Sequence, residues 1–155
     1  MDEMLDAEQT NVDVIRSRIL TLRGVQVMLD RDLAELYGVP TGALNQAVKR
    51  NASRFPTRFM FQLNKDEATN LKSQSVISSW GGSRSYPYAF TEQGIAMLSS
   101  VLRSETAIQI SIKIMDAFVT MRKAIASFEP MLMRLDIVER RQIVDQARNV
   151  FFFAP

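Results

Sequence analysis

Apolar and polar positions along the chain change period several times, and each change marks an element. Residues 1–13, MDEMLDAEQTNVD, show no apolar period and read as a disordered acidic tail. Two β-rich runs follow, Ile19–Leu22 and Val25–Leu29, around an Arg23-Gly24 hairpin turn. Asp30 is placed to cap a helix beginning at Arg31, in which Leu33, Ala34, Leu36 and Tyr37 share one face. Gly38 suits a left-handed stop, and Pro40 drives Val39 towards extended geometry. Thr41 then caps a second helix, Gly42 to about Asn51, whose apolar face is Leu44, Ala47 and Val48.

Downstream, Phe59, Phe61 and Leu63 alternate as on a half-buried strand. Asn64 and Glu67 have the spacing of a capping box, which opens a short helix through Leu71. KSQSVISSWGGSRS reads as a polar loop in which Trp80 is a packing anchor. YPYAF returns as a strand, and Pro87 assigns it to a sheet edge. Thr91 caps a helix with Ile95, Leu98 and Leu102 inward, and Ser104 caps a longer one to about Ala126. That last helix carries two stripes: Ile108, Ile112, Met115 and Val119, then Ile114, Phe118, Met121 and Ile125. Such breadth predicts burial on more than one side: either one stripe packs in the core and the other on a second subunit, or the helix is a central core helix of the monomer. Beyond Pro130, Leu132, Leu135, Val138 and Ile143 suggest a further amphipathic helix. No function is assigned to the terminal FFFAP.

These elements describe an α+β fold: a helix–turn–helix, a small antiparallel sheet in a winged-helix-like arrangement, and long C-terminal helices. The expected organisation is a tail over 1–13, a domain over 14–126, and a helical interaction or oligomerisation tail over 127–155.

Composition narrows the chemistry. The chain has no cysteine and no histidine, so thiol catalysis, His-dependent triads and Cys/His zinc sites are excluded. No acidic cluster suggests a carboxylate-held metal, and neither cofactor nor metal is expected; the chain reads as a binding protein rather than an enzyme. No apolar run has the length of a membrane span, and the N-terminus lacks a signal-peptide pattern, which implies a cytoplasmic, nucleoid-associated protein.

Net charge is only +2, yet it is unevenly spread. From Leu36 to Thr91 the bases are Lys49, Arg50, Arg54, Arg58, Lys65, Lys72 and Arg84, against the two acids Asp66 and Glu67. A basic centre behind an acidic tail points to a polyanion partner. At about 100° per residue, Gly42, Asn45, Gln46, Lys49 and Arg50 lie opposite the apolar face of the second helix. Amide side chains suit adenine and cationic ones suit guanine or phosphate, so this is a candidate recognition helix for duplex DNA. Thr41 and Asn51 bound it, while Arg54, Arg58 and Arg84 are candidate phosphate contacts.

The segments TLRGVQVMLDRDLAELYGVPTGALNQAVKRNASRFPTRFMFQL and YAFTEQGIAMLSSVLRSETAIQISIKIMDAFVTMR resemble the ORF-six N-terminal domain, a phage and prophage family related to KilA-N and Bro-N. The resemblance covers about residues 15–125, through LRG, LDRDLAELYGV, LNQAVKRN, RFP, FTEQG and SSVLRS. It implies a DNA-binding module of phage regulators or antirepressors, with Asn45, Lys49, Arg50 and Asn51 in the segment expected to face DNA. The expected function is therefore sequence-dependent binding of double-stranded DNA by a homodimer. The alternative is an antirepressor that captures a repressor protein.

Overall fold

In the computed structural model, residues 12–73, 86–132, 141, 142 and 144–146 are described. The elements are α1 (residues 12–18), β1 (Leu20–Leu22), β2 (Val25–Leu29), α2 (Asp30–Tyr37), α3 (Thr41–Arg50), a 3-10 turn (Ala52–Arg54), β3 (Met60–Gln62), α4 (Lys65–Ser73), β4 (Tyr88–Thr91), α5 (Glu92–Leu102), α6 (Glu105–Ala126) and α7 (Glu129–Leu132). The fold is α+β, as the pattern predicts. Helix α1 begins at residue 12, inside the tail expected to lack structure, and Arg16 pairs with Asp13 across its first turn.

The sheet order is β1-β2-β4-β3. β2 pairs antiparallel with β4, setting Met28 opposite Phe90 and Leu29 opposite Ala89. β3 pairs antiparallel with the other side of β4, setting Met60 opposite Phe90 and Phe61 opposite Ala89. β4 is thus a central strand, not the edge strand that Pro87 suggested. The reason is one residue of position. Pro87 lies just ahead of the strand, where its missing N–H costs no ladder bond, and its carbonyl accepts from the Leu63 N–H at 2.9 Å.

Arg23 and Gly24 both hold positive φ, 54° and 76°, as a tight type I′ turn between β1 and β2 requires. At the end of α2, Gly38 is left-handed (φ 71°), and the Gly38 and Val39 N–H groups bond back to the Glu35 and Ala34 carbonyls. That is a Schellman stop.

Two expected caps fall elsewhere. Asp30 and Thr41 are the first residues of their helices, not the caps; Leu29 and Pro40 occupy the cap positions, without side-chain bonds. β2 runs directly into α2, so the last strand residue, extended at φ −82° and ψ 151°, serves as the boundary. Pro40 is likewise extended, and its carbonyl takes the first helical bond of α3 from the Leu44 N–H. The other caps form as expected. Thr91 Oγ1 accepts from the Gly94 N–H at 3.3 Å, and Ser104 Oγ from the Ala107 N–H at 3.0 Å. Asn64 and Glu67 make the reciprocal capping box, at 3.0 and 2.8 Å.

By contact the chain divides into two compact units, Thr21–Ser111 and the remainder, Met1–Leu20 with Ile112–Pro155. In the first, buried Val27, Met28, Leu29, Phe61, Ala89 and Phe90 of the sheet form a core with Leu33, Ala34 and Tyr37 of α2, Leu44, Ala47 and Val48 of α3, and Ile95 and Leu98 of α5. Phe55 meets Phe90 edge-on, with ring centroids 6.0 Å apart. Tyr37 is buried, which pushes its phenol pKa up, and its hydroxyl lies 2.7 Å from Ser111 Oγ. In the second unit the buried side chains include Ile15, Ile19, Leu20, Ile114, Ala117, Phe118 and Met121. Among the described residues no helix is long and apolar enough to cross a membrane.

Candidate nucleic-acid interface

Helix α3 is held from behind and open in front. Leu44, Ala47 and Val48 are buried, and the helix contacts α2 and α5. On the opposite side Gly42, Ala43, Gln46, Lys49 and Arg50 are exposed. Among the described residues neither Lys49 nor Arg50 has an ion-pair partner, and the chain has no acid between Leu36 and Asn64. The helical wheel omitted Ala43, because an apolar residue at the helix start carries no polar signal. A Cβ built on Gly42 meets nothing within 4 Å, so the fold itself does not require glycine there.

The two asparagines are half-buried and hydrogen-bonded within the chain. Asn45 is half-buried, and its Nδ2 donates to Asp30 Oδ2 at 2.9 Å. Asp30 is only 3% exposed, and its other carboxylate oxygen accepts from the Arg31 N–H at 2.8 Å. Burial pushes the Asp30 pKa above the usual aspartate value, while the hydrogen bonds from Asn45 and from the Tyr88 and Arg31 backbones pull it down. Asn45 therefore ties α3 to the start of α2. Sequence reasoning missed this, because a buried carboxylate partner fifteen residues upstream leaves no local trace. Asn51 Nδ2 donates to the Ala47 carbonyl at 2.8 Å and finishes the helix. Thr41 is half-buried at its start.

Past the helix, Arg54 is exposed, with Nη1 3.4 Å from Ser100 Oγ on α5. Arg58 is exposed and lies over the Phe59 ring at 5.2 Å. A backbone clamp fixes this segment. Thr91 N donates to the Phe59 carbonyl at 2.9 Å, and Thr91 Oγ1 donates to the Arg58 carbonyl at 2.9 Å. A Cβ on Gly94 would lie 2.0 Å from that Phe59 carbonyl oxygen, so only glycine fits. Arg50, Arg54 and Arg58 thus follow one another along a segment anchored by Phe55 below and by Thr91–Gly94 at its end. Arg84 lies outside the described residues, as do Trp80 and the FFFAP terminus.

A second cluster also escaped the sequence reading. Arg23, on the hairpin turn, bonds both Glu67 oxygens at 2.9 and 3.0 Å and lies 4.1 Å over the Phe61 ring. The guanidinium holds the Glu67 carboxyl below the usual range. It is a structural tie between the hairpin turn and α4. Among the described residues no group of three or more acidic side chains could hold a metal ion.

The oligomerisation candidates separate by burial. Ile114, Phe118 and Met121 are buried and Ile125 is half-buried, whereas Ile108 and Ile112 are exposed and Met115 and Val119 half-buried.

In comparison with protein families, the model described as ORF6N domain matches residues 17–101, more than half of the chain. The match takes in the sheet, α2 to α4, all of α5 but its last residue, and every candidate DNA-contacting residue, and it ends before α6 and its oligomerisation candidates. No match was found among curated proteins or among solved structures.

Proposed function

The chain belongs to the ORF6N domain family, a phage-type regulatory module, and from that premise we propose that it binds double-stranded DNA through the exposed face of α3. One observation carries the reading. Gln46, Lys49 and Arg50 stand exposed on a helix whose opposite side is locked into the core, in a stretch of chain without a single acid. A helix of this diameter fits the major groove. Gln46 carries the donor and acceptor that match an adenine edge, Arg50 the paired donors that match a guanine edge, and Lys49 neutralises phosphate. Arg54 and Arg58 contact the backbone beyond the helix and set its depth. Asn45 and Asn51 act from within: one fixes the roll of α3 against Asp30, the other ends the helix.

The test is fluorescence anisotropy of labelled duplex DNA across a salt series. Binding should weaken steeply with salt, as counterions released from phosphates dictate. Lys49→Ala with Arg50→Ala should weaken it at all salts and reduce the log–log slope by about one to two. Both side chains are exposed, so the variant keeps its fold, which circular dichroism verifies. An unchanged affinity and slope would remove α3 from the interface. No duplex binding by the parent even at low salt would favour the antirepressor reading, with a repressor protein as the partner.

A further inference from the structure

The open stripe of α6 has a property that its burial alone does not reveal. Ile108 and Ile112 are 48% and 50% exposed, and Met115 and Val119 continue the stripe. We propose that this stripe is the contact surface for a second copy of the chain, packed against the same helix running in the opposite direction. The inference stands apart from the DNA reading, since a monomer can occupy a single duplex site.

Three features select that occupant. The first is spacing. Positions 105, 108, 112, 115, 119 and 122 alternate steps of three and four, the seam of a two-stranded coiled coil. The second is that the seam is a palindrome. A two-fold axis between Ile112 and Met115 sets Ile112 against the partner's Met115 and Ile108 against the partner's Val119, so every apolar position meets another. The third is charge. Glu105 stands at one end of the seam, and Arg122 and Lys123 stand at the other, all exposed. Antiparallel packing brings Glu105 of each copy to the basic end of the other, closing the apolar layer at both ends. Parallel packing would instead set Glu105 against Glu105 and Arg122 against Arg122. Arg122 already interacts within its own chain, and a guanidinium has five N–H donors to share. An unrelated protein would gain nothing from the palindrome.

Four apolar side chains per copy make a small interface, so the dimer should form and dissociate with concentration in the micromolar range.

The absence of cysteine makes the experiment direct. Full-length Ile108→Cys and Val119→Cys chains are oxidised separately and as an equal mixture. A cross-linked dimer is expected from the mixture and not from either chain alone, because only antiparallel packing brings position 108 to the partner's position 119 within disulfide reach. Sedimentation of the cysteine-free protein provides the second readout. Ile112→Lys, an exposed substitution that the fold tolerates, should shift the dimer to monomer. Glu105→Arg should weaken self-association about tenfold, and adding Arg122→Glu should restore it. A parent that stays monomeric at about 100 μM would overturn the proposal, whatever else binds the stripe. So would cross-linking of the single variants with themselves, or a dimer indifferent to Ile112→Lys.

Discussion

Two glycines illustrate how differently the same residue is constrained. At Gly94 an added Cβ would sit 2.0 Å from a backbone oxygen that already accepts from the Thr91 N–H, and neither partner can yield. Gly94→Ala should therefore cost about 3 kcal/mol or more, read as a drop in the urea midpoint. At Gly42 the added methyl would meet open space on an exposed helical turn. Gly42→Ala should leave stability unchanged or raise it by about 0.5 kcal/mol, because alanine loses less backbone entropy in a helix. If α3 approaches DNA along this position, the same variant should bind duplex less tightly than the parent. A stability loss at Gly42 would show that its space is not open. The sequence distinguishes neither glycine from the other. FTEQG announces a cap, but not the carbonyl that lies over it; the polar wheel placed Asn45 outward, but not the buried Asp30 that turns it in. Local pattern sees the helix a residue sits on and is blind to what another segment brings against it.

Elements are more legible, because their signals are local. The Asn64–Glu67 capping box, the Arg23-Gly24 hairpin turn and the Schellman stop at Gly38 are short-range patterns and form where residue types and spacing indicate, whereas the caps expected at Asp30 and Thr41 do not form. The misplaced features are those set by neighbours: β4 is central because β2 and β3 both pair with it, and Pro87 merely precedes it. Two carboxylates at element ends carry opposite pH dependences. The Glu67 pKa is lowered in the folded state, chiefly by Arg23, so its contribution is present above the usual glutamate pKa and lost as pH falls through the lowered one. Glu67→Gln keeps the capping box but removes the charge paired with Arg23, and should cost about 0.5 kcal/mol at neutral pH, with the difference shrinking in acid. The Asp30 pKa is raised by burial, so the folded state holds its proton longer, and stability from this group falls as pH rises through the interval up to the raised value. Asp30→Asn should therefore cost less at neutral pH than in acid. Urea titrations of both variants between about pH 3.5 and 7 test the two signs together, and parallel trends would contradict the assignments.

For the whole molecule, net charge is a poor guide to partners. A value of +2 conceals a run from Leu36 to Asn64 that contains Lys49, Arg50, Arg54 and Arg58 and no acid. The salt response of duplex binding should follow that run rather than the total. The α+β class was readable from the changes of period along the chain. Which of the two α6 stripes is buried was not, since they are equally apolar and only tertiary packing separates them. A further consequence comes from the junctions. β2 passes into α2 and β4 into α5 with no residue between strand and helix. Each strand therefore sets the starting angle of its helix, and one inserted residue turns that helix by about 100°. A single alanine inserted after Leu29 would carry Leu33 and Ala34 out of the core together, whereas many substitutions nearby would change one contact at a time. Chain length at these two points is thus under tighter constraint than side-chain identity. Descendants of this fold should drift in residue type there long before they gain or lose a position.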